Sequence, residues 1–301
     1  MARELNPGKD RIKGYAILKL LNPGRNAISY LAEKEGVHYF FKQYSNPTRL
    51  KPWYEPYIEY QDLIKQVITG KRKSSQNSDR PFIAEFCSDL IDFFKYDEKK
   101  ELRAYYQVQE FFQDGKSLED CLKEQQFCWE NRIICAKTLM SGMTRLHEAG
   151  VVHTDLKPKN LYMIPNKKRP GFRCMKIIDF DYSILANKKA PWDGIDPYVG
   201  TPGYLSPEHL KGQVPQFKSD VFTCGIILYE LLTKQGHPYD YNDAEYAKNV
   251  ERYTAQEPSL LGTFGSKKWD KRVCAMLRRM LAPKLEDRPS AAEVHVVLLG
   301  K

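Results

Sequence analysis

Up to residue 112, short apolar runs alternate with turn signals, which is the pattern of β-strands joined by tight connections. Asn22-Pro23-Gly24 and Glu35-Gly36 mark two of the turns. A helical run is interposed near residues 57–68. We therefore predict a strand-rich first lobe, with strands at 15–21, 27–32, 38–44, 91–96 and 103–112.

After a turn at 113–116 the pattern becomes helical. Apolar residues then recur at alternating steps of four and three, at positions 129, 133, 136, 140 and 143, which predicts an amphipathic helix that ends by Gly150. The same signature returns over 273–281. The stretch 70–80 is polar and poor in hydrophobic residues, so it predicts a mobile insertion. The predicted fold class is α+β, with a strand-rich lobe followed by a helix-rich lobe.

Composition narrows the class of protein. The chain has 301 residues, of which 42% are hydrophobic, and this is enough for a sizeable core. No run approaches the ~20 apolar residues of a membrane span, and the first residues lack the apolar core of a signal peptide, so we expect a cytoplasmic protein. The net charge of +9 is spread along the chain and gives no evidence for nucleic-acid binding. The seven cysteines form no Cys-x-x-Cys pair, which indicates reduced thiols.

Two segments near the middle of the chain carry the candidate chemistry. His153-Thr154-Asp155-Leu156-Lys157-Pro158-Lys159-Asn160 is followed by Ile177-Ile178-Asp179-Phe180-Asp181. Phosphoryl transfer needs one carboxylate to orient the attacking hydroxyl, and an amide and a second carboxylate to hold Mg²⁺ against phosphate oxygens. Asp155, Asn160 and Asp179 supply those groups, so this spacing predicts a phosphoryl-transfer site.

These segments resemble the catalytic loop H-R-D-L-x-x-x-N and the metal loop D-F-G of protein kinases. The resemblance continues in Gly200 to Glu208, which is similar to the family's substrate-docking segment, and in Asp220 to Gly225, which is similar to the start of its central helix. It implies a bilobal kinase domain over 12–300, with an N-lobe at 12–109, a hinge at 110–115 and a C-lobe at 116–300.

The resemblance also implies roles for individual residues. Asp155 would accept or orient the proton of the substrate hydroxyl, and Lys157 would neutralise charge on the transferred phosphate. Thr201 would bond near both of them, and together with Lys157 it is similar to the serine/threonine branch of the family. Asn160 and Asp179 would bind Mg²⁺ or Mn²⁺.

The resemblance also implies a nucleotide site formed by residues of the first lobe and of the hinge. Tyr39-Phe40-Phe41-Lys42 resembles the strand that ends in the lysine for the α and β phosphates, and Glu59 on the following helix is the expected partner of Lys42. Glu110 and Phe112 would offer backbone groups to the adenine.

The phosphate-covering loop is a poor match to the family pattern G-x-G-x-x-G. Only Gly24 survives, Ala27 stands at the last glycine position, and Arg25 adds a charge. Because glycines let backbone N–H groups approach phosphates, we expect Gly24 and Arg25 to contact ATP but to bind it more weakly than a three-glycine loop.

Two departures from the family affect the expected mechanism. Thr154 replaces an arginine that in many relatives binds a phosphate on the activation segment, so we predict activity without phosphorylation there. Asp181 replaces glycine in the metal loop, where its carboxylate would be an extra metal ligand or would repel the triphosphate. A second acid at this position is also similar to small-molecule kinases of the aminoglycoside and choline type.

The sequence as a whole predicts an ATP-dependent kinase that phosphorylates serine or threonine in protein substrates and in itself. The alternatives are a small-molecule kinase and a nucleotide-binding pseudokinase. Glu208 and Arg288 are predicted to form a partly buried ion pair, and Asp220 is predicted to support the backbone of the catalytic loop.

Overall fold

The computed structural model describes residues 3–23, 27–45, 51–69, 83–124, 127–166, 173–233, 235–239 and 243–300. These residues form two compact units. The first contains the described residues up to 69 together with 88–113, and the second contains 83–87 and 114–300. The predicted insertion at 70–80 lies outside the described residues.

The first unit is built on a six-stranded antiparallel sheet, in the order β1-β2-β3-β4-β6-β5. Its strands are β1 Arg11–Ile12, β2 Tyr15–Pro23, β3 Ala27–Lys34, β4 Val37–Tyr44, β5 Leu90–Tyr96 and β6 Ala104–Glu110. All five strands predicted from the sequence are confirmed, with shifts of a few residues at their ends. β1 was not predicted, because a two-residue strand carries no periodicity.

Two hairpins of this sheet turn through two residues with positive φ. Lys13 and Gly14 (φ 49° and 87°) join β1 to β2, and Glu35 and Gly36 (φ 55° and 77°) join β3 to β4. Positive φ at both central residues is the type I′ turn, whose twist matches that of the flanking strands. The glycine at the second position makes this conformation inexpensive and fixes the register of each hairpin.

The helix α1, Tyr54–Thr69, belongs to the same unit and confirms the predicted helical run. Its buried stripe consists of Tyr54, Tyr57, Tyr60, Gln61, Ile64 and Ile68. On the sheet, a separate apolar cluster surrounds Phe41 and Tyr106, both fully buried. Leu5 joins this cluster and its backbone N–H donates to the Tyr30 hydroxyl at 3.0 Å. The unit therefore includes residues before position 12, where the predicted domain began.

The second unit is mainly helical. Its helices are α2 Leu118–Lys123, α3 Trp129–Glu148, α4 Pro207–Leu210, α5 Phe217–Leu232, α6 Asp243–Glu251, α7 Lys267–Met280 and α8 Ala291–Leu298. Its short strands are β7 Lys116–Ser117, β8 Val151–Val152, β9 Leu161–Pro165, β10 Arg173–Ile177 and β11 Ile184–Leu185. The helices predicted at 129–143 and 273–281 are confirmed as α3 and α7. No helix among the described residues is long and apolar enough to cross a membrane.

The helix α5 forms the centre of the second unit. Thirteen of its sixteen residues are buried, so it is enclosed by the rest of the unit on nearly all sides. Gly225 lets α7 approach closely, since a Cβ at this position would lie 2.9 Å from the Cβ of Met280. The N-terminus of α5 is closed by a capping box between Gln216 and Ser219. A rigid central helix gives the neighbouring loops a fixed base.

The predicted ion pair of Glu208 and Arg288 is confirmed within this unit. Two guanidinium nitrogens of Arg288 donate to the two carboxylate oxygens of Glu208, each at 2.9 Å, and both side chains are almost fully buried. The remaining donors of Arg288 reach the backbone carbonyls of Lys218, Ala282 and Pro283. The pair therefore connects the end of the segment 200–208 to α5 and to the loop before α8.

Candidate functional site

Three predicted catalytic side chains form a closed hydrogen-bonded triangle. The Thr201 hydroxyl donates to one carboxylate oxygen of Asp155 at 2.6 Å, and the Lys157 ammonium donates to the other at 2.9 Å. Lys157 also donates to the Thr201 oxygen at 2.7 Å. Asp155 and Lys157 keep 15% and 20% of their side-chain surface exposed, so a substrate can reach them. The carboxylate of Asp155 is thus fixed in orientation and remains accessible.

The catalytic loop is held in a strained conformation by one buried carboxylate. Thr154 has φ 68°, which is costly for a β-branched residue. Asp220, at the first turn of α5, accepts the backbone N–H of Thr154 at 3.0 Å and that of His153 at 2.8 Å. His147, at the end of α3, lies 3.0 Å from the same carboxylate. The supporting role predicted for Asp220 is therefore confirmed, and these bonds compensate the strain.

The metal loop is attached directly to the catalytic loop. The His153 ring donates through Nε2 to the Ile178 carbonyl at 3.1 Å, and the Ile178 N–H donates to the Asn160 carbonyl at 2.9 Å. Further along, the Thr154 hydroxyl donates to the Tyr182 carbonyl at 2.9 Å. Pairing of β8 with β11 continues this attachment. The sequence did not predict that the Thr154 hydroxyl bonds to the residue that follows the metal loop.

The three predicted metal ligands offer oxygen atoms, which suits a hard divalent cation. The Asn160 amide nitrogen donates to the Asp155 carbonyl at 2.8 Å, so its oxygen is the atom left for a metal. Asp179 has φ 68° and is half-buried, and Asp181 is only 7% exposed. The donor set of one amide and two carboxylates fits Mg²⁺ or Mn²⁺.

The residues of the first unit that were predicted to form the nucleotide site differ in position and burial. Lys42 lies in the middle of the sheet, opposite Ser29 and Gln107, and is 7% exposed. Glu59 is exposed on α1, away from the buried stripe of that helix, and forms no ion pair with any described residue. The structure thus does not place Glu59 as the partner of Lys42. The buried polar side chain of α1 is Gln61, which lies on the same face as Tyr57, Ile64 and Ile68, whereas Glu59 lies on the opposite face.

The other residues predicted to bind the nucleotide lie at the end of an inner strand, just after that strand, or outside the described residues. Glu110 ends β6, and its N–H donates to the Asp89 carbonyl at 3.1 Å. Phe112 follows two residues later and is half-buried. Gly24 and Arg25, predicted to contact the phosphates, lie outside the described residues.

Comparison with known proteins identifies the family. A model of the protein kinase domain matches residues 59–296, well over half of the chain. The chain belongs to the protein kinase family. This match confirms the predicted family and the predicted fold class, with a strand-rich part and a helical part. It also implies the use of ATP and a divalent metal. The match begins inside α1, so the first four strands of the kinase fall outside it.

Individual relatives are similar to more than half of the kinase chain. Calcium/calmodulin-dependent protein kinase type II of Caenorhabditis briggsae is 31% identical over 175 residues, which cover 58% of this chain and 30% of the relative. The type II alpha chain of Drosophila melanogaster is 30% identical over 203 residues, which cover 66% of this chain and 36% of the relative. The kinase chain therefore spans about a third of the length of these curated relatives.

A further carboxylate of the kinase was missed by the sequence reasoning. Glu230 lies near the end of α5, and burial raises its pKa to about 7 although the Tyr204 hydroxyl donates to both of its oxygens at 3.1 Å. Tyr204 belongs to the predicted substrate-docking segment. The signal in the sequence was a single acid in the apolar run 221–232.

The raised pKa of Glu230 predicts a specific pH dependence of stability. Folding favours the protonated carboxyl of Glu230. Its contribution to the free energy of unfolding is therefore fully present below the unfolded pKa of 4.5 and is lost as pH rises through about 7. Glu230→Gln removes this loss. Chemical denaturation should show that the variant gains about 2 kcal/mol over wild type between pH ~5 and pH ~8. Glu251→Gln, at an exposed position of α6, is the control, and an equal gain there would contradict the assignment.

Proposed function

We propose that this chain is a serine/threonine protein kinase that transfers the γ-phosphate of ATP to hydroxyls of protein substrates and of itself. The triangle of Asp155, Lys157 and Thr201 is the observation that carries the proposal. It combines a positioned carboxylate with a cation within 3 Å, next to a segment similar to the family's substrate-docking segment.

Each member of the triangle has a separate role in this proposal. Asp155 orients the substrate hydroxyl and accepts its proton as the oxygen attacks the γ-phosphorus in line. Lys157 offsets negative charge on the transferred phosphoryl group. Thr201 fixes one oxygen of Asp155 and the ammonium of Lys157, so neither group needs to reorganise when the substrate binds.

The metal and nucleotide roles complete the proposed site. Asn160, Asp179 and Asp181 would hold Mg²⁺ or Mn²⁺, which when bound screens the phosphate oxygens and neutralises developing charge. Lys42 would pair with the α and β phosphates, and the backbone of Glu110 and Phe112 would meet the adenine. Gly24 and Arg25 would cover the phosphates. A pairing of Glu59 with Lys42 is not part of the proposal.

Activity is proposed to be independent of phosphorylation of the activation segment, residues 179–208. Thr154 binds the Tyr182 carbonyl of this segment directly. Between 184 and 200 the segment contains no serine or threonine. Instead, Trp192 is 1% exposed, with the rings of Tyr182 and Tyr198 at 5.9 and 6.5 Å. These contacts order the segment through apolar burial.

This ordering gives a direct prediction. Phosphatase treatment should leave kcat/KM for a peptide substrate within about twofold, whereas Trp192→Ala should lower it by about tenfold or more, since truncating a buried tryptophan costs about 3–5 kcal/mol of packing. Asn187→Ala, at an exposed position of the same segment, is the control and should match wild type. Loss of turnover after phosphatase treatment would contradict the prediction.

The class of acceptor is tested by measuring ADP release with a coupled assay. Purified chain with Mg²⁺·ATP is offered a basic protein substrate, choline or an aminoglycoside in turn. Stimulation by the protein substrate alone supports the proposal. Stimulation by a small molecule alone would identify a small-molecule kinase, and thermal stabilisation by ATP without any release of ADP would identify a pseudokinase.

Partners and location complete the proposal. The proposed partners are ATP and a protein with a serine or threonine acceptor, without a role for nucleic acid. A cytoplasmic site of action is proposed with them.

A further inference from the structure

A row of polar side chains crosses the sheet of the first unit at Lys42. The register pairs Asn22 with Ser29, Ser29 with Lys42, and Lys42 with Gln107, so four neighbouring strands contribute one residue each. Directly opposite residues of antiparallel strands point to the same face, with Cβ atoms about 4.5–5.5 Å apart. Ser29 and Gln107 therefore flank Lys42 on the face that carries its side chain.

The opposite face of the same strands is apolar. Tyr30, Phe41 and Tyr106, which are the sequence neighbours of the three residues around Lys42, belong to the apolar cluster on the sheet. Side chains alternate between the two faces along each strand, so the row and the cluster lie on opposite sides. The polar row is therefore not part of this core.

Ser29 and Gln107 are buried, yet one donor group of each is not used within the first unit. Ser29 is 8% exposed and Gln107 is 2% exposed. Among the described residues, none accepts a hydrogen bond from the Ser29 hydroxyl or from the amide nitrogen of Gln107. Buried polar groups nearly always have a hydrogen-bond partner. Two such donors beside one lysine indicate acceptors that belong to a ligand.

The amide of Gln107 is held in a defined orientation. The Ser88 hydroxyl donates to the side-chain oxygen of Gln109 at 3.5 Å, and the amide nitrogen of Gln109 donates to the side-chain oxygen of Gln107. Ser88 and Gln109 are themselves buried. This chain of hydrogen bonds engages the oxygen of Gln107, so the group that remains is its NH₂, which has two donors and no acceptor.

We propose that Ser29 and Gln107 donate hydrogen bonds to phosphate oxygens of the bound nucleotide, one on each side of Lys42. This inference rests on the proposed role of Lys42 toward the α and β phosphates. Hydrogen bonds to an anionic oxygen are stronger than those to a neutral one, so donors beside an ammonium suit a phosphate. Gln107 precedes Glu110 by three residues on β6, which is about 10 Å along the strand. The two donors thus lie away from the position proposed to meet the adenine.

The test measures displacement of a fluorescent ATP analogue by ATP, by ADP and by adenosine. We expect Ser29→Ala and Gln107→Met each to weaken binding of ATP and ADP by about tenfold, since each removes a hydrogen bond to a charged group. Adenosine has no phosphate, so it should bind both variants within about twofold of wild type. Gln43→Met changes a buried glutamine on the opposite face and is the matched control, with an unchanged affinity for ATP.

The stability of the free chain separates a binding role from a structural one. Ser29→Ala removes a hydroxyl that bonds to no described residue, so the free variant should be at least as stable as wild type in chemical denaturation. It should gain less stability than wild type when ATP is added. Gln43→Met should destabilise the free chain, because it removes the donor to the Arg3 carbonyl and to the Tyr106 hydroxyl.

Three results would overturn the inference. They are unchanged ATP binding in either variant, equal losses for adenosine and ATP, and a destabilised free chain in Ser29→Ala. The proposed kinase function fails separately: the expected losses of ATP binding in a chain that transfers no phosphate would support the inference and contradict that function. A wild-type chain that binds neither ATP nor ADP would overturn both.

Discussion

Replacing Asp155 with asparagine is expected to lower kcat by about 10²–10⁴-fold, which is the usual contribution of a positioned general base. Asparagine keeps the shape of the side chain and can still accept the Thr201 hydroxyl bond, but it cannot take a proton. The structure places the two carboxylate oxygens of Asp155 against Thr201 and Lys157, so a neutral amide also loses its charge-assisted contact with the ammonium.

The effect should be confined to the chemical step. Steady-state kinetics should give a KM for ATP within about threefold of wild type, because no nucleotide role is proposed for Asp155. Asp287→Asn, at an exposed carboxylate of the same unit, is the control and should leave kcat unchanged. A kcat for Asp155→Asn within a few-fold of wild type would remove Asp155 from the mechanism.

Breaking the Glu208–Arg288 pair is expected to destabilise the fold by about 3–5 kcal/mol. Arg288→Met leaves the Glu208 carboxylate buried without a cation, with only neutral hydroxyl partners such as Ser219 at 2.9 Å and Ser206. It also removes the donors that reach three backbone carbonyls. Chemical denaturation of both proteins should show this loss in the free energy of unfolding.

A double variant separates the two causes of that loss. Glu208→Leu/Arg288→Met removes both charges, so it should recover at least half of the lost stability, since a stranded charge is the largest cost. If the double variant were less stable than Arg288→Met, desolvated charge would not be the reason.

The pH dependence of the same pair has a defined sign. Burial acts to raise the pKa of Glu208, but the hydrogen bonds and charge of Arg288 outweigh it and hold the pKa below 4.5. The pair therefore stabilises the fold above pH ~4.5 and loses this contribution as pH falls through the lowered pKa. Wild type should lose stability on acidification relative to the double variant.

Local patterns predicted most of the fold. Strands β2 to β6 of the first unit and the helices α1, α3 and α7 were predicted from the sequence, because alternation and helical periodicity reflect which side chains are buried. The small strands β9 and β10 were not predicted. They pair with each other antiparallel, and each has only five residues, too few for its alternation to stand out, although Pro170-Gly171 between them is a turn signal in the sequence.

The grouping of the proposed catalytic residues was predictable for a different reason. Asp155, Lys157 and Asn160 lie within one loop, so their spacing alone brings them together. Glu59 and Glu230 show the limit of such reasoning. Which face of α1 turns inward depends on packing against the sheet, and the burial that raises the pKa of Glu230 comes from helices distant in sequence.

The reaction proposed for this kinase is transfer of the γ-phosphate of ATP to serine or threonine in a protein. The most direct measurement incubates the chain and a basic protein substrate with Mg²⁺ and γ-labelled ATP, and then hydrolyses the labelled protein and separates its phosphoamino acids. We predict labelled phosphoserine or phosphothreonine with wild type and none with Asp155→Asn. Label in phosphotyrosine alone, or no label in protein while ATP is consumed, would contradict the account.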